Sequence, residues 1–232
     1  MGSKTPLVIF GIDYPSKRRL LQILTEIQKY YSLDNYLFKS FPVLRKLSNE
    51  EIADFFVKEK DRLLKRLTKR KAKVEREWRK IEKSYFEKVE ELTGFGWKAK
   101  RYRCYLSPID AGRYLLEINS IVCFGFDERI EDTINTIGEE LFHLHFWSCM
   151  ERIGFTLNKN TFSKYWKLSE AIIAFVLPEL GFKLAPSWWG DEIRELERKM
   201  LPFWKKRKSF ADFLKSATKA LEHFSGNLQN SP

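Results

Sequence analysis

The sequence predicts a helix-rich α+β fold with a small, mostly antiparallel sheet and a long basic helical arm. Three observations carry that prediction. Apolar residues recur at spacings of three and four over most of the 232 residues. Short β-branched and aromatic runs with turn residues between them are confined to residues 6–12 and 97–126. The segment 58–83, KEKDRLLKRLTKRKAKVEREWRKIEK, is dominated by Lys and Arg yet keeps a thin apolar seam. Hydrophobic residues make up 44% against only 11 Gly and 8 Pro, which suits one packed domain and excludes a linker-like or disordered chain.

In chain order, PLVIFGID reads as a buried strand that Asp13, Tyr14, Pro15 and Ser16 turn into a helix. In that helix Leu20, Leu21, Ile23, Leu24 and Ile27 make one stripe. An irregular stretch at 32–44 follows. Ser48 with Glu51 three residues on has the form of a capping box, and helix-favouring residues continue to Thr93 and Gly94. The seam Leu63, Leu64, Leu67, Val74, Trp78, Ile81 and Phe86 fits one long helix or a hairpin bent near LTKRKAK, and a helix projecting from the core is the favoured form. WKAKRYRCYLSP, GRYLLEIN and SIVCFGFD read as three strands. Asp127 or Glu128 then opens a helix to 152 whose Ile130, Ile134, Ile137, Leu141 and Leu144 form an apolar face. After a loop at NKNTFSK, WKLSEAIIAFVLPELGF is apolar nearly all round and reads as a central helix ending near Pro178 and Gly181. Two amphipathic helices fill residues 190–205 and 209–224, the second capped by Ser209, and the SGNLQNSP tail is expected to fray. The whole is expected to be a single domain, 1–232, with 49–93 as a helical arm or hairpin insertion and 186–224 as C-terminal helices.

The formal charge is +11, from 42 Lys and Arg against 31 Asp and Glu, so the surface attracts phosphates and acidic partners. Cys104, Cys123 and Cys149 form no CxxC and are odd in number, which points to free thiols and a cytoplasmic, reducing setting. No run is long and apolar enough for a membrane span. No Gly-rich phosphate loop, GxSxG elbow or Cys ligand cluster occurs.

The stretch IGEELFHLHFW, residues 137–147, holds two of the three histidines. On a helix Glu139 and His143 are neighbours one turn apart, and Glu140 lies beside His143 from the adjacent row. His145, two residues on, is turned roughly 200° away and is expected to pack. Glu139, Glu140 and His143 resemble the HExxH helix of the zincin metallopeptidases, with Glu in place of the first His. In the gluzincin branch a third ligand is a Glu on a later helix, and WKLSE offers Glu170. The layout of strand, helix, small sheet, motif helix and later helix is similar over about the central third of the chain and its first strand.

The resemblance implies a zincin-like, metal-dependent peptidase: Glu139, His143 and Glu170 as ligands, Glu140 as general base, a divalent ion, zinc in the family, and a peptide or protein substrate. The departure also has consequences. Two carboxylates and one imidazole make a weaker Lewis acid of the ion and favour harder ions such as Mn or Fe(II), so activity is expected to be slow, altered or absent.

Other readings stand beside it. An ExxxH pair occurs on ordinary solvated helix faces, and a Glu170 in a first helical turn, with Ser169 as cap, would complement the helix dipole. A ferritin-like di-iron site would use Glu140 and His143 but needs a second ExxH, and His223 has Ala220 three residues before it. The basic arm, with Lys98, Lys100, Arg101 and Arg103 interleaved with Trp97, Tyr102 and Tyr105, is either plain surface or a nucleic-acid or acidic-partner site. A further basic cluster, LPFWKKRKSF, is equally ambiguous. The alternative function is therefore a non-enzymatic basic scaffold or nucleic-acid-binding protein around a degenerate zincin-like core.

Overall fold

The structure, a computed structural model, describes residues 5–30, 33, 36–110, 112–127, 129–156, 158–183 and 191–228. Part of the irregular stretch at 32–44, Glu128 as a helix opener, residues 186–190 and the last four residues of the tail lie outside them. The fold is helix-rich α+β. The elements run β1 (Leu7–Ile12), α1 (Lys17–Tyr30), α2 (Leu37–Ser40), α3 (Asn49–Lys58), α4 (Lys60–Thr93), β2 (Arg101–Ser107), β3 (Arg113–Leu115), β4 (Ser120–Phe124), α5 (Ile130–Arg152), α6 (Lys159–Leu180), α7 (Asp191–Lys206) and α8 (Phe210–Leu228). Contacts divide the chain into two compact units, residues 1–83 with 99–141 and residues 84–98 with 142–232.

The first unit is built on a four-stranded sheet in the order β1-β2-β4-β3. The sheet is mixed rather than mostly antiparallel: β1 with β2 and β2 with β4 are parallel, and only β3 with β4 is antiparallel. The reason is connectivity. Parallel neighbours need a long crossover, and the chain between β1 and β2 carries four helices. β3 and β4 follow one another closely and form a hairpin, which turns through Asn119 in the left-handed region at φ 48.

One face of the sheet buries Val8, Tyr102, Cys104, Leu106, Ile121 and Cys123. On α1 the predicted stripe is buried at Leu20, Ile23, Leu24 and Ile27. The capping box at α3 forms as expected, with the Glu51 amide donating to Ser48 Oγ and the Ser48 amide donating to Glu51 Oε2 at 2.8 Å.

The basic segment is one unbroken helix after a break at Glu59, so the hairpin does not form. Nor does residues 60–83 stand free as an arm. Leu63, Leu67, Val74 and Trp78 are fully buried, and the Arg66 guanidinium lies 4.7 Å above the Phe126 ring. Glu82 and Arg79 bind the outer edge of β1: the Val8 amide donates to Glu82 Oε1 at 2.8 Å, and Arg79 Nη2 donates to the Val8 carbonyl at 2.8 Å. Trp78 Nε1 also donates to Glu82, at 3.1 Å. A helix this rich in Lys and Arg lies down because its seam and this pair give it one apolar, hydrogen-bonded side.

The second unit is helical with an aromatic core. Phe142 packs against Phe210 at 6.2 Å, and Trp204 packs edge-on against Phe213 at 5.0 Å. The NKNTFSK segment is not a loop from Lys159 onward. It forms the start of α6, where the Phe162 amide donates to the Asn158 carbonyl at 2.8 Å. The end of α6 falls where expected, closed by the Phe182 amide on the Leu177 carbonyl at 2.9 Å. The cap of α8 is also as read, with the Asp212 amide donating to Ser209 Oγ at 3.1 Å.

Candidate metal centre

Helix α5 carries the motif. From Ile137 to Met150 its side chains are buried almost all round, including Leu141, Phe142, Phe146, Trp147 and Met150 at 0 or 1% exposure. The polar groups on it are therefore not a wetted face: His143 and His145 are each 1% exposed and Glu140 is 8%. Glu139 is half-buried. A solvated ExxxH pair does not describe this helix.

Glu170 is placed by α6. Because that helix begins at Lys159, Glu170 sits past its middle, not in its first turn. The dipole explanation fails for it, since charge–dipole stabilisation is confined to the terminal turns. Ser169 is no cap either; its hydroxyl donates to the Trp166 carbonyl at 2.8 Å. Glu170 is 4% exposed, and a carboxylate at that depth needs a compensating partner.

His143 Nε2 faces Glu170 Oε2 at 3.5 Å. Glu139 stands one turn before His143 on the same unbroken helix, so α5 itself fixes their relation. Together Glu139, His143 and Glu170 each offer one ligand atom, and these atoms lie within 4.8 Å of one another. Among the described residues Glu170 Oε2 has no hydrogen-bond partner.

This buried group can hold a metal ion, and the donor set fits one. Ligand atoms bound at about 2.0–2.2 Å to a tetrahedral ion stand roughly 3.4 Å apart, close to the separation of His143 and Glu170. The widest gap would close by little more than ~1 Å, within the reach of a Glu rotamer. Two carboxylates with one imidazole also bring the charge that a dication neutralises.

Glu140 lies on the adjacent row of α5 and against the strand-leading loop of the first unit. A Cβ built on Gly112 would meet Glu140 Oε1 at 2.8 Å and Thr136 Cγ2 at 3.2 Å, and Gly112 has φ +138. Glycine is needed there on both counts. This seat for the Glu140 carboxylate is not visible from sequence spacing; the nearest signal is the Gly in the DAGR turn before β3.

His145 packs, as its angle on the helix predicts. Thr93 Oγ1 gives its proton to the Val89 carbonyl at 2.7 Å and so accepts from His145 Nε2 at 2.9 Å. The imidazole lies 4.5 Å from the Trp97 ring. Burial, assisted by the Arg152 charge, lowers its pKa to about 3, so it is neutral at physiological pH.

The remaining sequence candidates are dispersed. Trp97 is half-buried, with Nε1 donating to the Phe86 carbonyl at 3.1 Å, and Tyr102, 2% exposed, is not free to stack on a base. Much of the charge on α4 is spent locally, in pairs such as Lys71 with Glu75 and Arg79 with Glu75 and Glu82. In LPFWKKRKSF, Arg207 pairs with Glu179 at 3.0 Å and covers the Trp204 ring at 3.6 Å. Cys104, Cys123 and Cys149 are free and buried. The side chain of His223 lies outside the described residues. Among those residues, no helix is long and apolar enough to cross a membrane.

No family model, no curated protein and no solved structure matches the chain.

Proposed function

We propose that this chain is a zincin-like metalloprotein in which Glu139, His143 and Glu170 hold a divalent ion and Glu140 is the general base for hydrolysis of a peptide substrate. The observation that carries the reading is the buried convergence of two carboxylates and an imidazole within 4.8 Å, one carboxylate oxygen of which has no hydrogen bond. A bound ion would polarise a substrate carbonyl and acidify a water. The protein's own part is to keep that water from bulk solvent, through the apolar surroundings of α5, and to accept its proton on Glu140. The Glu140 carboxylate lies close against Gly112, where a Cβ would meet its Oε1 at 2.8 Å. Zinc is the ion that the resemblance suggests, while the two carboxylates shift the preference towards Mn or Fe(II). Three buried free thiols suit a cytoplasmic setting.

The test is metal content followed by hydrolysis. Protein purified without added metal is expected to carry about one ion per chain, lost in Glu139→Ala and His143→Ala. Glu140→Gln is expected to keep the ion and lose cleavage of a quenched fluorescent peptide library. Metal-free protein, with both ligand variants folding as the parent does, rejects the metal centre. Metal bound with no cleavage by the parent rejects only the hydrolase.

A further inference from the structure

The sheet's second face is open along β1 and the first half of β2, while β4 is buried on that same side at Ser120, Val122 and Phe124. β1 and β2 pair in parallel with Leu7 opposite Arg101, Ile9 opposite Arg103 and Gly11 opposite Tyr105, and partners in register point to the same side. Leu7 and Ile9 are each 42% exposed, Arg101 and Arg103 are exposed, and Tyr105 is half-buried. The Tyr105 ring turns its Cδ1–Cε1 edge to Gly11: a Cβ there would stand 2.7 Å from Tyr105 Cδ1 and 2.8 Å from Cε1. Among the described residues neither Arg101 nor Arg103 has an ion pair or a side-chain hydrogen bond.

We propose that this face binds single-stranded nucleic acid, with bases resting on Leu7, Ile9 and Tyr105 and phosphates on Arg101 and Arg103. Arg101 and Arg103 leave the strand two residues apart, about 6.6 Å along the backbone, beside a row of apolar and aromatic surface. That arrangement suits a flexible chain that alternates anionic and flat apolar groups. A second copy of the chain is a poor occupant, since each carries a charge of +11. An acidic protein is a poorer fit as well. Three rungs of two strands are far smaller than the roughly 800 Å² a stable protein interface takes from each partner, whereas a nucleic acid gains affinity from a few phosphates. The surface belongs to the first unit alone and is independent of the metal centre.

The probe is a fluorescein-labelled 20-nucleotide poly-dT, read by anisotropy over a series of salt concentrations. Binding by the parent is expected, with log affinity falling linearly against log salt. The double variant Arg101→Gln/Arg103→Gln is expected to bind about tenfold more weakly, with the slope reduced by about 1.4, or 0.7 per phosphate lost. Tyr105→Leu is expected to weaken binding several-fold at unchanged slope, the signature of stacking. Lys65, Lys69 and Lys73, exposed at successive turns of α4, serve as the control; changing all three to Gln removes more charge but is expected to alter affinity less than threefold. Thermal unfolding of each variant establishes that it folds. Absence of binding overturns the proposal, as does an α4 variant that loses as much as the sheet variant. Displacement of the oligonucleotide by an equal concentration of polyglutamate reassigns the face to acidic polypeptides.

Discussion

Glu82 shows how one charged residue can be structural inside a segment that reads as solvated. It lies on the most basic helix of the chain, yet it is 8% exposed and accepts from the Val8 amide, Trp78 Nε1 and Arg79. β1 is an edge strand, and the Arg79–Glu82 pair supplies both the acceptor and the donor that a further strand would have offered to Val8. Removing the carboxylate strands two buried donors, each costing about 1–3 kcal/mol. Glu82→Ala is accordingly expected to lose about 2–4 kcal/mol in urea unfolding, and Glu82→Gln, which keeps an acceptor oxygen, clearly less. Equal losses for the two variants would show that the charge, and not the acceptor, holds the edge. The sequence could not reveal this role. Glu82 satisfies the local i, i+3 pairing rule with Arg79, and nothing in that rule names a strand 74 positions away.

At the scale of the element, legibility followed periodicity. α1, α5 and α7 each have an apolar stripe that local sequence encodes and lie close to where the sequence places them; α3 starts at its capping box but ends at a break at Glu59 inside a segment that reads as helix through to Thr93, and α8 runs to Leu228, into the tail expected to fray. The start of α6 is not legible because KNTFSK is polar apart from Phe162, whose ring stacks on Trp147 at 4.8 Å. The pairing of β1, β2 and β4 was missed because parallel neighbours are set by distant crossovers, while alternation looks alike in both kinds of sheet. The same division runs through the candidate site. Glu139, Glu140 and His143 were legible as an i, i+1, i+4 set on one helix, and Glu170 only through a family resemblance. That Glu170 lies mid-helix and buried needed the structure.

The entry to α5 carries an element-scale prediction about pH. Asp127 accepts from the Thr133 hydroxyl at 2.8 Å, and Arg70, which donates to the Arg129 carbonyl at 2.7 Å, sits nearby. Burial raises the Asp127 pKa to about 6, with Thr133 and Arg70 opposing and Asp132 assisting. The folded state thus holds this proton more tightly than the unfolded chain, whose value is the usual 3.8 or so. The contribution is fully present below about pH 4 and is lost as pH rises towards 6, amounting to at most about 3 kcal/mol. Asp127→Asn keeps an acceptor for Thr133 without the charge. Its stability relative to the parent is expected to rise between pH 4 and 6 and to level off above; parallel stability curves from urea titrations across that range would rule the burial effect out.

For the whole molecule, the candidate centre implies a trade between stability and function. In the absence of metal, Glu170 is a 4% exposed carboxylate whose Oε2 faces His143 Nε2 at 3.5 Å without a hydrogen bond, and no Lys or Arg pairs with it among the described residues. Such a group destabilises the fold that contains it, and a cation that binds only the folded state reverses the effect, by about 2.7 kcal/mol at a hundred times its Kd. Glu170→Gln separates the two contributions. In chelator the variant is expected to be more stable than the parent by about 1–3 kcal/mol, because the buried charge is gone. With Zn or Mn present the order is expected to reverse, since only the parent gains from the ion. Unfolding midpoints for both proteins, with chelator and with each metal, measure this directly. If Glu170→Gln is the less stable protein in chelator and the parent gains nothing from either ion, the carboxylate is serving a structural partner and no metal.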